Sequence, residues 1–315
     1  MHGYSRVLVT GGAGFIGSHV VDRLLTEDLD VVVLDNLQEG REENLNDHLG
    51  EDNFRFVHGD IRDVNLVRDL VKDVDIVIHH AALVSVPKSI ENPVLTDDVN
   101  VRGTLNLLKA STDSDVKRFI HASSCAVYGE TEGLPLKEDE RLRPLSPYGV
   151  SKLAAEQYMR VFYEIFGLET ICLRYFNAYG PRQVQSECSG VITHFLRNLR
   201  ENRSMVIFGD GKQTRDFVHV RDIVEANVLT LERNDIAGET FNIATGVPTT
   251  INKLAKILIE VTRKNVKLVH SELRKGDIKH SYADVSKAKK KLQYTPKISL
   301  KEGLENLSKN CGIIT

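Results

Sequence analysis

At 315 residues the chain is long enough to bury a large core, as two lobes or one large α/β unit. Hydrophobic residues make up 41% and charged residues 27%, and 41 lysines and arginines against 44 aspartates and glutamates leave a net charge of −3; this is ordinary globular composition, with no reason to expect a nucleic-acid or membrane surface. Cys125, Cys172, Cys188 and Cys311 lack the paired spacing of a zinc site, no apolar run is long enough to span a bilayer and no basic-then-apolar leader precedes the first strand, so reduced thiols and a cytoplasmic location are expected.

Arg6–Thr10 is a short β-branched run that ends in Gly11-Gly-Ala-Gly-Phe-Ile-Gly17, after which Ile16, Val20 and Leu24 repeat at helical spacing. This reads as strand, glycine turn and helix. Gly12, Gly14 and Gly17 fit G-x-G-x-x-G, and Gly11, Gly14 and Gly17 fit G-x-x-G-x-x-G. Such glycines permit a tight turn, close approach of backbone to a pyrophosphate and close helix-to-strand packing, with the helix N-terminus facing the phosphates. The next strand, Val31–Asp35, delivers an acid 18 residues after Gly17, where the pattern needs a carboxylate for ribose hydroxyls. A carboxylate there repels a 2′-phosphate, which favours NAD over NADP.

Further apolar runs follow at Phe54–His58, Asp75–His79, Arg118–His121 and Glu169–Leu173, separated by helical patterns such as Val64–Val71 and Leu95–Ala110. The alternation predicts an α/β fold with a doubly wound parallel sheet, whose ligands bind at the carboxyl ends of the strands. Those ends carry Asp60-Ile61, Ala81-Ala82-Leu83 and Ser123-Ser124. His79-His80 invites a metal, but adjacent strand residues point to opposite faces and no second cluster has a ligand spacing, so no metal site is expected.

A helix starting near Pro147 places Tyr148 and Lys152 four apart on one face. An ammonium held near a phenol stabilises the phenolate, which makes the tyrosine a base near neutral pH. The same spacing also describes an ordinary helix start with a solvated lysine. After Pro181 the strand–helix alternation weakens. Leu196–Glu201 reads as the end of a helix, Met205–Gly211 as strand and turn and Phe217–Val220 as strand, with helices at Asp222–Leu231, Leu254–Val261 and after Ser299.

Taken in order, these pieces resemble the extended short-chain dehydrogenase/reductase superfamily, and within it the UDP-hexose 4-epimerases. The matching segments are Gly11–Gly17, Asp35-Asn36-Leu37, Gly59–Asp63, His79–Ala82, Asn100–Thr104, Ser123–Gly129, Tyr148–Lys152, Arg174–Pro181, Gly211–Asp216 with Val218-His-Val220, and Arg274-Lys-Gly-Asp277. The resemblance implies a doubly wound Rossmann sheet with a smaller substrate lobe. The NAD-binding domain would take residues 1–180 plus about 218–245, and the nucleotide-sugar-binding lobe 181–217 and 246–315. It implies NAD held by Gly11, Gly14, Phe15, Ile16, Gly17, Asp35, Asn36, Asp60, Ile61, Ala81, Ala82, Asn100, Ser123, Tyr148 and Lys152. Tyr148 would be the base, Lys152 its electrostatic partner, and Ser124 would share the hydrogen bond at O4 of the sugar. A UDP-sugar would meet Ser85, Ser124, Tyr148, Asn177, Val191, Phe208, Arg215, Arg274, Asp277 and Ser281, with Arg215, Arg274 and Asn177 on the diphosphate and Phe208 beside the uridine. Helices around Asn100–Ala110 and Tyr148–Phe166 would form the interface of a homodimer.

The implied reaction is a 4-epimerisation through a transient 4-keto sugar. Cys125 and Ala126 stand where related dehydratases carry an acidic pair, so elimination of water is not expected, and Cys125 is read as a packed thiol on the far face of its strand. Ser281 stands where a tyrosine would crowd the C2 substituent of the sugar, which implies room for UDP-GlcNAc and UDP-GalNAc beside UDP-glucose and UDP-galactose. Other readings on this scaffold are a UDP-glucuronate or UDP-pentose 4-epimerase, a nucleotide-sugar dehydratase or reductase, and a non-catalytic NAD-binding protein.

Overall fold

The computed structural model describes residues 3–183, 190–273 and 278–314. In chain order the first half comprises strand β1 (Arg6–Thr10), helix α1 (Phe15–Leu25), β2 (Asp30–Asp35), β3 (Phe54–His58), α2 (Val64–Val71), β4 (Ile76–His79), α3 (Val86–Glu91), α4 (Pro93–Asp97), α5 (Gly103–Asp113), β5 (Arg118–Ser124), α6 (Pro147–Phe166) and β6 (Glu169–Tyr175). Helix starts are set by short polar residues. Asp63 accepts from the amides of Asn65 and Leu66, Ser85 from Lys88, and Ser146 from Gly149, ahead of Pro147 in the first turn of α6. Gly167, at φ +74°, ends α6 in the left-handed conformation that suits glycine.

The second half continues with β7 (Asn177–Tyr179), α7 (Val191–Arg200), β8 (Met205–Phe208), β9 (Thr214–Arg215), β10 (Phe217–His219), α8 (Val220–Glu232), β11 (Thr240–Ile243), β12 (Thr249–Thr250), α9 (Ile251–Thr262), β13 (Leu268–Ser271), β14 (His280–Ser281), α10 (Ser286–Lys291) and α11 (Leu300–Asn310). The central sheet has seven parallel strands in the order β11-β6-β5-β4-β1-β2-β3. The direction of winding reverses between β1 and β4, which places a crevice at their carboxyl ends. Smaller pairings join β7 to β10, β8 to β13, and β9 to both β12 and β14.

Successive residues of each central strand serve opposite faces. Val7 and Val9 pack with Val20, Val21 and Ile223 on one side, while Leu8 packs with Val77, Phe119, Leu107 and Met159 on the other. A sheet buried on both faces explains why these strands read as continuous apolar runs rather than alternating ones. Each fully buried Val, Leu or Ile contributes roughly 1.5–3 kcal/mol. A separate core of Phe195, Leu199, Ile207, Leu254, Leu258 and Leu304 holds α7, β8, α9 and α11 together. Asp216, fully buried between β9 and β10, accepts from the amides of Thr245 (2.8 Å), Gly246 (2.8 Å) and Ala283 (3.3 Å) and from the Thr245 hydroxyl (2.6 Å). One carboxylate thereby ties β9 to the segments that follow β11 and β14.

Two sequence expectations are modified. Leu95–Ala110 is helical throughout but not uniformly α: α4 and α5 flank a π turn at Asp98–Arg102. The turn carries Asn100 inward, where its side chain accepts from the Leu83 amide (2.8 Å) and donates to the Leu83 carbonyl (3.0 Å) and the Ser151 hydroxyl (2.9 Å). Such bulges let a helix re-aim one side chain. Cys125 is not on β5. The strand ends at Ser124, whose hydroxyl accepts from the Ala126 amide and starts a 3₁₀ turn at Cys125–Val127, so strand alternation does not decide where its thiol points.

Candidate active site

β1 runs into Gly11 at φ +70°, and a Cβ there would stand 2.5 Å from the Ala81 amide nitrogen. A Cβ on Gly17 would collide with the Gly11 carbonyl. The turn is therefore closed to any other residue at both positions. No side chain among the described residues caps the N-terminus of α1, which leaves its amides and positive dipole end for an anion. This turn floors a cavity of about 360 Å³ at the carboxyl ends of β1 and β4.

Of the residues expected to hold a cofactor, Gly11, Gly14, Phe15, Ile16, Gly17, Asp35, Asn36, Asp60, Ile61, Ala81, Ala82, Ser123, Tyr148 and Lys152 line this cavity, and so do Ser85 and Ser124. Asn100 is not on its wall; it stands behind, holding the Leu83 backbone in place. Asp35, at the end of β2, accepts from the amides of Ala13 (3.0 Å) and Leu37 (2.8 Å). Burial pushes its pKa up, and those two amides pull it back. Asp60 is held at about 2, first by its hydrogen bonds from Arg62, and also receives the Asn36 carboxamide at 3.0 Å. A glycine cradle, an uncapped helix start and a fixed acid at the end of the second strand fit a dinucleotide with free ribose hydroxyls.

At the other end of the cavity, β5 and α6 present the reactive groups. Tyr148 is 9% exposed, and its amide donates to the Ser89 hydroxyl at 3.1 Å. Burial pushes its phenol up to about 12, against which the Ser124 hydroxyl acts as a hydrogen-bond partner. Burial lowers Lys152 to about 8, opposed by the charge of Glu156. The Lys152 ammonium donates to the Ala122 carbonyl at 2.7 Å. Lysine and tyrosine thus share the wall without a direct hydrogen bond to each other, the ammonium being anchored to β5. Burial pushes the Cys125 thiol up to about 11, so it is protonated at neutral pH.

Arg215 and Ser281 face each other in register on β9 and β14, but with Asn177, Val191 and Phe208 they lie off the cavity wall. Asn177 has a buried Oδ1 with no hydrogen-bond partner among the described residues, so its carboxamide has capacity to spare. Arg274 and Asp277 fall outside the described residues.

Sequence reading missed several residues here. Glu39 and Lys88 form an ion pair at 2.6 Å on the cavity lining, and their separation of 49 positions in the chain hides it. His80 stacks on Tyr175, its Nε2 3.1 Å from the hydroxyl. Glu156, four residues after Lys152, was findable from helical spacing. His79 spends both ring nitrogens on Thr10 (2.7 Å) and Thr104 (2.8 Å), and no group of three or more His, Cys, Asp or Glu among the described residues could hold a metal ion. No helix among the described residues is long and apolar enough to cross a membrane.

Comparison with known proteins gives a consistent picture. The family whose model matches residues 8–307 is described as GDP-mannose 4,6 dehydratase. A putative UDP-glucose 4-epimerase of Methanocaldococcus jannaschii is 42% identical over 304 residues, 96% of each chain. A solved UDP-N-acetylglucosamine 4-epimerase from Methanobrevibacter ruminantium M1 has a TM-score of 0.93 at 40% identity and covers 97% of both chains. The UDP-glucuronic acid 4-epimerase from Bacillus cereus, solved with UDP-glucuronic acid and NAD, has a TM-score of 0.91 at 33% identity, covering 98% of this chain and 99% of that one.

Proposed function

This chain belongs to the extended short-chain dehydrogenase/reductase family, and on that premise we propose that it is a 4-epimerase of UDP-sugars, interconverting UDP-glucose with UDP-galactose and UDP-GlcNAc with UDP-GalNAc. The cofactor is NAD. The observation that carries the reading is the meeting of Ser124, Tyr148 and Lys152 on the wall of one cavity floored by the glycine turn. Asp35 supports NAD over NADP, since its carboxylate is fixed where a 2′-phosphate would have to come.

In this reading Tyr148 removes the proton of the sugar's O4 hydroxyl and later returns it, with Ser124 holding the oxygen in line. Lys152, anchored on Ala122, brings a positive charge that favours the phenolate. What NAD supplies when bound is a reversible hydride acceptor and positive charge, so that C4 can pass through a 4-keto sugar and invert with no net redox change. The protonated Cys125 and the methyl of Ala126 offer no acid–base pair for expelling water, which favours epimerisation over dehydration.

The reading takes in an N-acetyl group because the residue at 281 is a small serine, although Ser281 is buried and off the cavity wall. The junction of β11 with β6 supports the return of residues 218–245 to the NAD-binding domain, which takes 1–180, with 181–217 and 246–315 as the sugar-binding lobe. Val94, 78% exposed on α4, with exposed Ile90, Leu145 and Val150 alongside, supports a homodimer formed through this face and α6. The test is a panel of UDP-sugars incubated without added NAD and read at C4 by proton NMR. Equilibration of the glucose/galactose and GlcNAc/GalNAc pairs is expected. No turnover of any UDP-sugar by protein that holds NAD would overturn the assignment.

A further inference from the structure

Along α6, Glu156 follows Lys152 by four residues, as Lys152 follows Tyr148, so the three share one face. The chemistry above does not use Glu156, yet it is 5% exposed, and a carboxylate is seldom buried without a tightly specified set of partners. Those partners are Arg174 and Ser123. The Arg174 guanidinium donates to both Glu156 oxygens, Nε to Oε1 at 2.9 Å and Nη2 to Oε2 at 2.8 Å, and the Ser123 hydroxyl donates to Oε1. Arg174 faces Ser123 in the ladder of β5 with β6, and its remaining reach is spent on the Tyr128 hydroxyl (2.8 Å) and the Glu138 carbonyl (2.9 Å). The Tyr128 ring also lies under the guanidinium, 4.8 Å from its centroid.

α6 is therefore fastened to the end of β5 at two successive levels, Lys152 to Ala122 and Glu156 to Ser123. The next residue of that strand is Ser124. We propose that Glu156 is a positioning residue of this site: through Ser123 it fixes Ser124 against the helix that carries Tyr148, and it sets a carboxylate one turn from Lys152. Arg174 holds that carboxylate in place through two hydrogen bonds.

The groups facing Lys152 come from four elements. On α6 they are Tyr148 and Glu156. From β4 and its end come His79 and His80, from β5 His121, and from β6 Cys172. Burial drives all three histidines well below neutral and Cys172 far up, so these four are uncharged at neutral pH. Glu156 is the one carboxylate in that set. Burial lowers the Lys152 pKa and Glu156 raises it. Removing the carboxylate charge should let the ammonium titrate at lower pH.

This inference rests on Tyr148 and Lys152 being the working pair, and its test needs no sugar turnover. In full-length protein with its NAD, the 13C shift of the lysine ε-carbons is followed against pH, with Lys152 assigned through Lys152→Arg. Two variants are compared with the parent: Glu156→Gln, and Glu156→Gln with Arg174→Met, which leaves no lone buried guanidinium. The Lys152 midpoint should fall by about one pH unit or more in Glu156→Gln, and still fall, by less, in the double variant, where the opposing guanidinium is removed as well. The double variant decides if the single one fails to fold. An unchanged midpoint in the double variant, whatever happens to its melting temperature, would overturn the proposal and leave Glu156 a packing residue. A silent UDP-sugar panel beside a shifted Lys152 midpoint would sink the epimerase reading and spare this one.

Discussion

The ammonium of Lys152 donates to the carbonyl of Ala122 at 2.7 Å, and that bond ties the helix bearing Tyr148 to the strand bearing Ser124. Removing it tests charge and anchoring together. Lys152→Met should lower kcat/KM by about 10²- to 10⁴-fold, the usual range for a lost acid–base contribution. Stability should change by less than about 2 kcal/mol, because a buried charge is removed along with its bond. Urea unfolding beside steady-state kinetics would show this; a kcat/KM within tenfold of the parent would contradict the role.

Tyr148 and Lys152 are displaced in opposite senses, the phenol up to about 12 and the ammonium down to about 8. The reactive form needs the tyrosine ionised and the lysine protonated. Below the phenol's pKa the ionised fraction grows with pH, so activity should climb from the acid side. Once Lys152 begins to lose its proton, near 8, that loss cancels the further gain in phenolate, so the climb should stop in a plateau and activity should fall only above the phenol's own pKa. A kcat/KM profile that rises on the acid side and levels off near pH 8 is expected, its limbs belonging to the coupled pair. Tyr148→Phe should abolish turnover while leaving the NAD content of the purified protein unchanged, as read by absorbance after denaturation.

A methyl group at position 17 has nowhere to go, since it would meet the Gly11 carbonyl. Gly17→Ala should open the turn, destabilise the fold by roughly 1–3 kcal/mol as overpacking does, and release NAD on gel filtration. Full retention of NAD would mean that the turn does not hold the cofactor.

Ser281, on β14, lies in register with Arg215 on β9. Ser281→Tyr should cut kcat/KM for UDP-GlcNAc at least about tenfold relative to UDP-glucose, the scale on which a pocket discriminates by shape. An unchanged ratio would place the C2 substituent elsewhere.

Much of this site was written in local sequence. The glycine turn, Asp35 and the Tyr148–Lys152 spacing depend on neighbours within one strand, turn or helix, and periodicity carries that information. The structure brings all of them to one cavity because the winding of the sheet reverses between β1 and β4. What stayed hidden depends on contacts distant in the chain. Arg174 meets Ser123 only across the β5–β6 ladder, and Glu39 reaches Lys88 only across the cavity. The anchor of Lys152 on Ala122 was likewise invisible, since a helical spacing says which residues share a face and not what that face touches. The π turn at Asn100 interrupts an otherwise helical pattern for the sake of side-chain bonds to Leu83 and Ser151.

The central claim is that the C4–H bond of the sugar breaks and re-forms inside one site, with Tyr148 handling only the O4 proton. UDP-glucose carrying deuterium at C4, incubated in ordinary water without added NAD, tests it most directly. UDP-galactose that still carries deuterium at C4 is the expected product. Exchange of that deuterium for solvent hydrogen would contradict the claim, and so would a sugar recovered with its C4 configuration unchanged.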